Sequence, residues 1–351
     1  MQTHRTTEFC TARTPPGNAT ALWFAALVWL CSAVPASAET PDVASQADYA
    51  HAATIIEVGA GRRMNLVCRG RPNPVLPTVV FDSGLSDGSF SWALVQPAIA
   101  QITRACSFDR AGLGFSDPAR RSGTSAHAVD DLHRLLQHAA IAPPYLLVGH
   151  SLGGLDMQLY AALYRNQISA MLLLDPVPPD GIARLDTRSA GAESRRLAAE
   201  LVLARSCRRD VAHNRIDAQW QDRCVEPDDA RYSAAVNAAR RASARRLAFQ
   251  NAQLSEITGY ANGVSLAQVR RAHHGYGALP LMVLSAARSD PALDAEWQTM
   301  HRELAAKSLL GQQRTVPGSG HYLQLDAPLA VIDSIVGLLQ LVTRRPEGAT
   351  Q

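Results

Sequence analysis

The sequence predicts an α/β protein: a mostly parallel, eight-stranded sheet with helices on both faces and a helical insertion between the sixth and seventh strands. Three observations carry this. Short apolar runs alternate with amphipathic helical patterns along most of the 351 residues. One of these runs leads directly into a Gly-x-Ser-x-Gly turn that opens a helix. Between residues 176 and 279 the strand pattern stops, and Ala and Arg accumulate instead.

The alternation is preceded by a different kind of segment. Arg5 and Arg13 stand before an apolar stretch from Ala21 to Val34, and Pro35, Ala36, Ser37 and Ala38 supply the small residues of a cleavage site ahead of Glu39. This pattern predicts a secretory signal peptide over residues 1–38, so the mature chain is expected in the periplasm or the medium. A retained membrane anchor is the rival reading, but the apolar run falls short of the ~20 residues that span a bilayer. No stable membrane insertion is expected after cleavage. Residues 39–53 read as a flexible leader and residues 346–351 as a flexible tail.

Strands are expected at Thr54–Val58, Arg63–Cys68, Thr78–Phe81, Arg104–Phe108, Tyr145–Val148, Met171–Leu174, Leu281–Leu284 and Gln313–Val316, each an apolar run bounded by Gly, Pro or Asp. The first helix, Ser125–Ala140, spaces Val129, Leu132, Leu135 and Leu136 on one face; the second, Leu152–Tyr164, does so with Leu155, Leu159 and Leu163. A last helix begins near Pro328, with Asp326 as its expected cap. The core is therefore assigned to residues 54–175 and 280–345, and residues 176–279 to a helical cap. From Gly181 to Ala278 the chain carries 16 Arg against 10 Asp and Glu, a surplus of six positive charges. That reads either as a solvated helical surface or as a cover over a site.

The chemistry concentrates at Gly149-His150-Ser151-Leu152-Gly153-Gly154. A tight strand-to-helix turn needs minimal side chains beside its central residue, and it lifts a serine hydroxyl to the N-terminus of the following helix. There, backbone N–H groups favour a developing oxyanion. Ser151 is the candidate nucleophile. Phe108-Asp109-Arg110-Ala111-Gly112-Leu113-Gly114-Phe115-Ser116-Asp117, Tyr164-Arg165-Asn166-Gln167-Ile168 and Leu325-Asp326-Ala327-Pro328 follow the same order as motifs of a known family. With the elbow, they make the chain resemble the α/β-hydrolase fold family from about Thr54 to Leu341.

The resemblance implies a triad in the order Ser, acid, His. His321 follows the Pro317-Gly318-Ser319-Gly320 turn after the last strand, where the family carries its general base. His150 beside the nucleophile is expected to point away from the chemistry, and His273 and His274 to lie on the surface. Asp290, after the seventh strand, is the preferred acid; Asp175, at the end of the sixth, is the alternative, and Asp294 a third choice. The oxyanion hole is expected from the backbone N–H of Leu152 and of Leu85, the latter in the Asp82-Ser83-Gly84 loop where family members often carry His-Gly.

Cys10 and Cys31 leave with the signal. Cys68, Cys106, Cys207 and Cys224 remain, an even count that in an oxidising compartment predicts two disulfides rather than four buried thiols. The family's sheet order places the second and fourth strands side by side, which implies Cys68–Cys106 and leaves Cys207–Cys224 within the cap.

The reading is thus a serine hydrolase, a carboxylesterase or lipase-like enzyme acting on small-molecule esters through an acyl-enzyme. Alternatives are a cofactor-free haloperoxidase or perhydrolase, a peptidase on the same triad, or a binding protein that kept the fold. A formal net charge of +3 argues against nucleic acid as a partner. No metal motif and no dinucleotide fingerprint is present, so no cofactor is expected.

Overall fold

Fully buried strands need apolar side chains on both faces, and the central runs of this chain supply them. The computed structural model describes residues 43–272, 275–287 and 291–344. Its strands are β1 (Thr54–Glu57), β2 (Arg63–Arg69), β3 (Thr78–Asp82), β4 (Ala105–Phe108), β5 (Tyr145–His150), β6 (Ile168–Leu174), β7 (Leu281–Ala286) and β8 (Gly311–Val316). They form one sheet in the order β1-β2-β4-β3-β5-β6-β7-β8. The β1–β2 and β2–β4 pairs are antiparallel, and all the others are parallel.

Strand pleating divides the core into two layers. In β5, Tyr145 and Leu147 face one layer and Leu146 and Val148 the other. The first layer is covered by α2 (Ser125–His138) and α3 (Leu152–Leu163), and the second by α12 (Pro328–Thr343) and α1 (Gln96–Ile99). Helix α2 stops two residues earlier than its apolar pattern because Ala140 takes a left-handed φ of 52°.

Between β6 and β7 lie α4 (Gly181–Ser189), α5 (Ala192–Ala212), α6 (Ala218–Cys224), α7 (Ala234–Ala244), α8 (Leu247–Ala261) and α9 (Val264–Ala272). Side-chain caps start two of them: Asp217 accepts from the Trp220 N–H and Ser233 from the Val236 N–H. The last helix departs from the expected cap boundary. Leu266 and Val269 of α9 are buried in the same layer as α2 and α3. Ser265 Oγ and Gln268 Oε1 accept the N–H groups of Ser125 and Ala126, capping α2 from outside. Helix α9 is therefore packed as part of the core. After β7 come α10 (Pro291–Ala305), then β8 and the short α11 (Leu323–Asp326).

Two further expectations are corrected. Residues 43–49 form a 3-10 helix rather than a loose leader. The Tyr49 ring is buried against Val67 and Tyr232, and its hydroxyl donates to Gln96 Oε1 at 3.0 Å. That ring docks the segment together with the buried Gln46, whose amide donates to Arg231 O at 3.0 Å and accepts from Ser233 N at 2.7 Å. Asp326 does not cap α12; it ends α11, and its carboxylate accepts the Gly320 N–H at 2.8 Å. The signal segment 1–38, His273, His274, Asp290 and the tail 346–351 lie outside the described residues.

Both disulfides form as expected. Cys68 and Cys106 are directly opposed in the β2–β4 register, with Cα atoms 4.1 Å apart. Cys207–Cys224 ties α5 to α6, and the buried Trp220 indole N–H donates to the Cys207 carbonyl beside it. Two disulfides fit an oxidising compartment. No helix among the described residues is long and apolar enough to cross a membrane.

Replacing Cys207 and Cys224 together by Ser should loosen the α5–α6 pair and leave the sheet intact. A loop of this size is worth about 3 kcal/mol in the chain-entropy model. Hydrogen exchange should quicken in α5 and α6 and stay slow in β3, β5 and β6. Uniform loss of protection would contradict local pinning.

Candidate active site

In an open parallel sheet, ligands bind beyond the carboxyl ends of the strands where the strand order reverses. Here the chain turns back between β3 and β5. Two loops meet at that point: the turn Gly149–Ser151 after β5 and the segment Ser83–Ser86 after β3.

The turn is tight enough to exclude side chains. A Cβ on Gly149 would lie 2.6 Å from the Gly153 carbonyl, and one on Gly153 would lie 2.5 Å from the carbonyls of Asp82 and Ser83. Ser151 itself takes φ 52° and ψ −116°, a costly conformation for a residue with a Cβ. It is held there because its N–H donates to Leu174 O at 3.0 Å and its carbonyl accepts from Val177 N at 3.2 Å.

Three side chains form a hydrogen-bonded relay. Ser151 Oγ lies 3.0 Å from His321 Nε2, and His321 Nδ1 lies 2.6 Å from Asp175 Oδ2. The carboxylate can only accept, so Nδ1 carries the proton and Nε2 is left to accept from the serine hydroxyl. Asp175 is almost fully buried. Burial acts to raise its pKa, but the bond and charge of His321, the nearby His301 and the Trp297 N–H outweigh it and hold the carboxyl at about 2. Its second oxygen accepts from Trp297 Nε1 at 2.7 Å and Ala286 N at 3.1 Å.

The relay opens into a cavity of ≈ 780 Å³. Leu85, Val177, Leu185, Leu197, Ile257 and Trp297 contribute apolar lining, and Glu193, Arg196, Glu200 and Arg223 of the insertion contribute charged lining. Among the described residues, neither the Leu85 N–H nor the Leu152 N–H has an acceptor.

The fold agrees with the comparisons. The family model described as "Alpha/beta hydrolase family" matches residues 79–334. This chain belongs to that family. Among curated relatives, the α/β-hydrolase is 36% identical over 103 residues to the uncharacterized protein YqjL of Bacillus subtilis, covering 29% of this chain and 41% of YqjL. It spans less than half the length of the curated relatives it matches first. Among solved structures, a Pseudomonas aeruginosa protein provisionally named an epoxide hydrolase superimposes with TM-score 0.64 at 19% identity, covering 83% of this chain and 97% of that one. Epoxide hydrolase CorEH gives 0.58 at 16%, covering 82% and 99%. Identities this low show the fold alone.

In this α/β-hydrolase the carboxylate that reaches His321 is Asp175, the alternative of the sequence reading. The preferred Asp290 lies outside the described residues. Asp294 is in the first turn of α10, where it accepts from Gln298 Nε2. Asp175 gains its place because it too adopts a left-handed φ, 40°, while its N–H donates to Leu284 O. That kink at the end of β6 turns the carboxylate toward the His321 loop.

His150 is closer to the chemistry than expected. Its Nε2–H donates to the His321 carbonyl at 2.9 Å, and the two rings are 4.7 Å apart. Burial, then the neighbouring His321, pushes its pKa down to about 3, so it stays neutral. Trp297 and His150 carry no local signal for these roles in the sequence, because both act on residues far away along the chain.

A group whose folded pKa is depressed contributes stability above its unfolded pKa and loses it as pH falls through the folded value. Asp175 should therefore remain ionised when pH is lowered from 6 to 3, while its contribution to stability starts to fade as pH drops below the ordinary 3.8 and is gone below about 2. Carboxyl chemical shifts followed by NMR check this. A midpoint at or above the ordinary 3.8 would contradict the environment described.

Proposed function

We propose that the chain is a serine hydrolase of carboxylic esters, with Ser151 as nucleophile, His321 as general base and Asp175 as the acid that orients it. The observation that carries this is the continuous relay from Ser151 Oγ through both His321 nitrogens to a buried carboxylate. Ser151 Oγ attacks the ester carbonyl carbon as its proton passes to His321 Nε2. The carbonyl oxygen becomes an anion and receives the N–H groups of Leu152 and Leu85. Collapse expels the alcohol, which takes the proton from His321, and leaves an acyl group on Ser151. Water, deprotonated by His321, then releases the acid and restores the serine.

The partly apolar cavity supports a small to medium acyl or alcohol group as substrate. The leading segment 1–38 and the two disulfides support export to the periplasm or the medium. Nitrophenyl esters of increasing chain length, run beside aminopeptidase substrates, test the substrate class. Hydrolysis of the peptides alone would replace the esterase reading with a peptidase.

Ser151→Ala should lose turnover by about 10³-fold or more while the protein stays folded, and only the wild type should label with a fluorophosphonate. Substantial residual turnover in the purified variant removes Ser151 from the mechanism.

Asp175→Asn should lose roughly 10³- to 10⁴-fold in kcat, since the imidazole is no longer held in the working tautomer. Asp290→Asn should stay near wild type. The opposite pattern would restore Asp290 as the acid.

A further inference from the structure

We propose that Arg110 and Glu256 are positioning residues that aim the Leu85 N–H at the oxyanion, making the competence of a core loop depend on helix α8 of the insertion. This rests on the serine-hydrolase reading and goes beyond it.

The argument begins with a buried charge. The guanidinium of Arg110 is about 95% removed from solvent, and its five N–H donors are all taken. Nε donates to Glu256 Oε1 at 2.7 Å; Nη1 donates to Asp82 Oδ1 and to Ser83 O, both at 2.7 Å; Nη2 donates to Gly84 O at 2.5 Å and to Glu256 Oε2 at 3.2 Å. Two of these acceptors are backbone carbonyls of the loop after β3.

The bond to Gly84 O matters most. Gly84 C=O and Leu85 N–H belong to one trans peptide, so they point in opposite directions in a single plane. Gripping the carbonyl from behind fixes where the N–H points, and the cationic donor polarises the peptide toward a stronger N–H donor. The next peptide is held as well, because the Ser86 N–H donates to Glu256 Oε2 at 2.8 Å. Ser86 sits at φ 63°, a conformation that a non-glycine residue keeps only when held.

The other side of the loop has no slack. A Cβ on Gly84 would lie 2.9 Å from His150 Nδ1, and Gly153 abuts the Asp82 and Ser83 carbonyls. The loop is thus clamped between the serine elbow and the Arg110–Glu256 pair. Among the described residues, Glu256 makes no hydrogen bond or ion pair with Ser151, His321 or Asp175, so any effect on catalysis must pass through the loop.

The test compares wild type with Glu256→Gln, which keeps shape and removes charge, and with Arg110→Lys, which keeps charge and loses the fork that reaches Gly84 O. Three quantities are read: kcat, KM, and inhibition by phenylboronic acid, which forms a tetrahedral anion on the serine. We expect kcat to fall about 10- to 100-fold, boronate affinity to fall to a similar degree, and KM to move less than about threefold. A folded Glu256→Gln with kcat within about twofold of wild type, a loss confined to KM, or a reduced kcat with unchanged boronate affinity overturns the proposal. If Glu256→Gln does not fold, Arg110→Lys is judged on the same three readouts. Failure of the parent reading looks different: the wild type itself then does not label with fluorophosphonate at Ser151, and this inference falls with it.

Discussion

Taking one guanidinium out of water constrains two distant segments at once. An unpaired buried cation costs several kcal/mol, so a fold that buries Arg110 must bring acceptors to all five of its donors. They come from the end of β3 (Asp82), the loop beyond it (Ser83 and Gly84) and helix α8 (Glu256). Burial raises the Asp82 carboxyl and the Arg110 charge lowers it; the nearby Glu256 raises it further, and the net direction is upward. The cluster is held by geometry as much as by charge. Loss of one partner would leave the others buried without compensation.

The insertion makes a second contact of the same kind on the other side of the site. Arg231, between α6 and α7, pairs with Asp326, and Asp326 accepts the Gly320 N–H directly before His321. The loops carrying the histidine and the candidate oxyanion donor are therefore both held through charged residues of the segment between β6 and β7. The same segment supplies Leu185, Leu197 and Ile257 to the cavity wall. Of the Arg surplus between Gly181 and Ala278, Arg231 is thus tied to the site, and on the other side Glu256 of the insertion holds Arg110 of the core.

Strain at the site is placed where strands end. Ser151 and Asp175 are both non-glycine residues at left-handed φ, and each N–H is tied to the neighbouring strand, Ser151 to Leu174 and Asp175 to Leu284. Parallel neighbours β5, β6 and β7 finish in step, so each kink is stabilised by the strand beside it. Ser151 and Asp175 are consequently mounted on buried strands, and His321 on the loop after the edge strand β8. Asp175 reaches His321 across 146 positions of chain only because β6 and β8 end at the same edge of that sheet.

Periodicity and local turn chemistry were enough to read the eight strands, the helices α2 and α3, the Ser151 elbow and the His321 turn, since each is encoded within about ten consecutive residues. The Cys68–Cys106 pair followed from the sheet order that the family resemblance implies, which left Cys207 and Cys224 to each other in the insertion. The acid could not be read this way: Asp175 and Asp290 each follow a parallel strand, and their local sequences do not say which carboxylate is turned toward the histidine. Tertiary structure also decided that α9 belongs with α2 and α3, that Tyr49 is buried, and that Glu256 meets Arg110. These contacts join residues far apart in sequence through burial and hydrogen-bond satisfaction, which depend on what the rest of the chain brings alongside. A local pattern records what a segment can form. Only packing records what it must face.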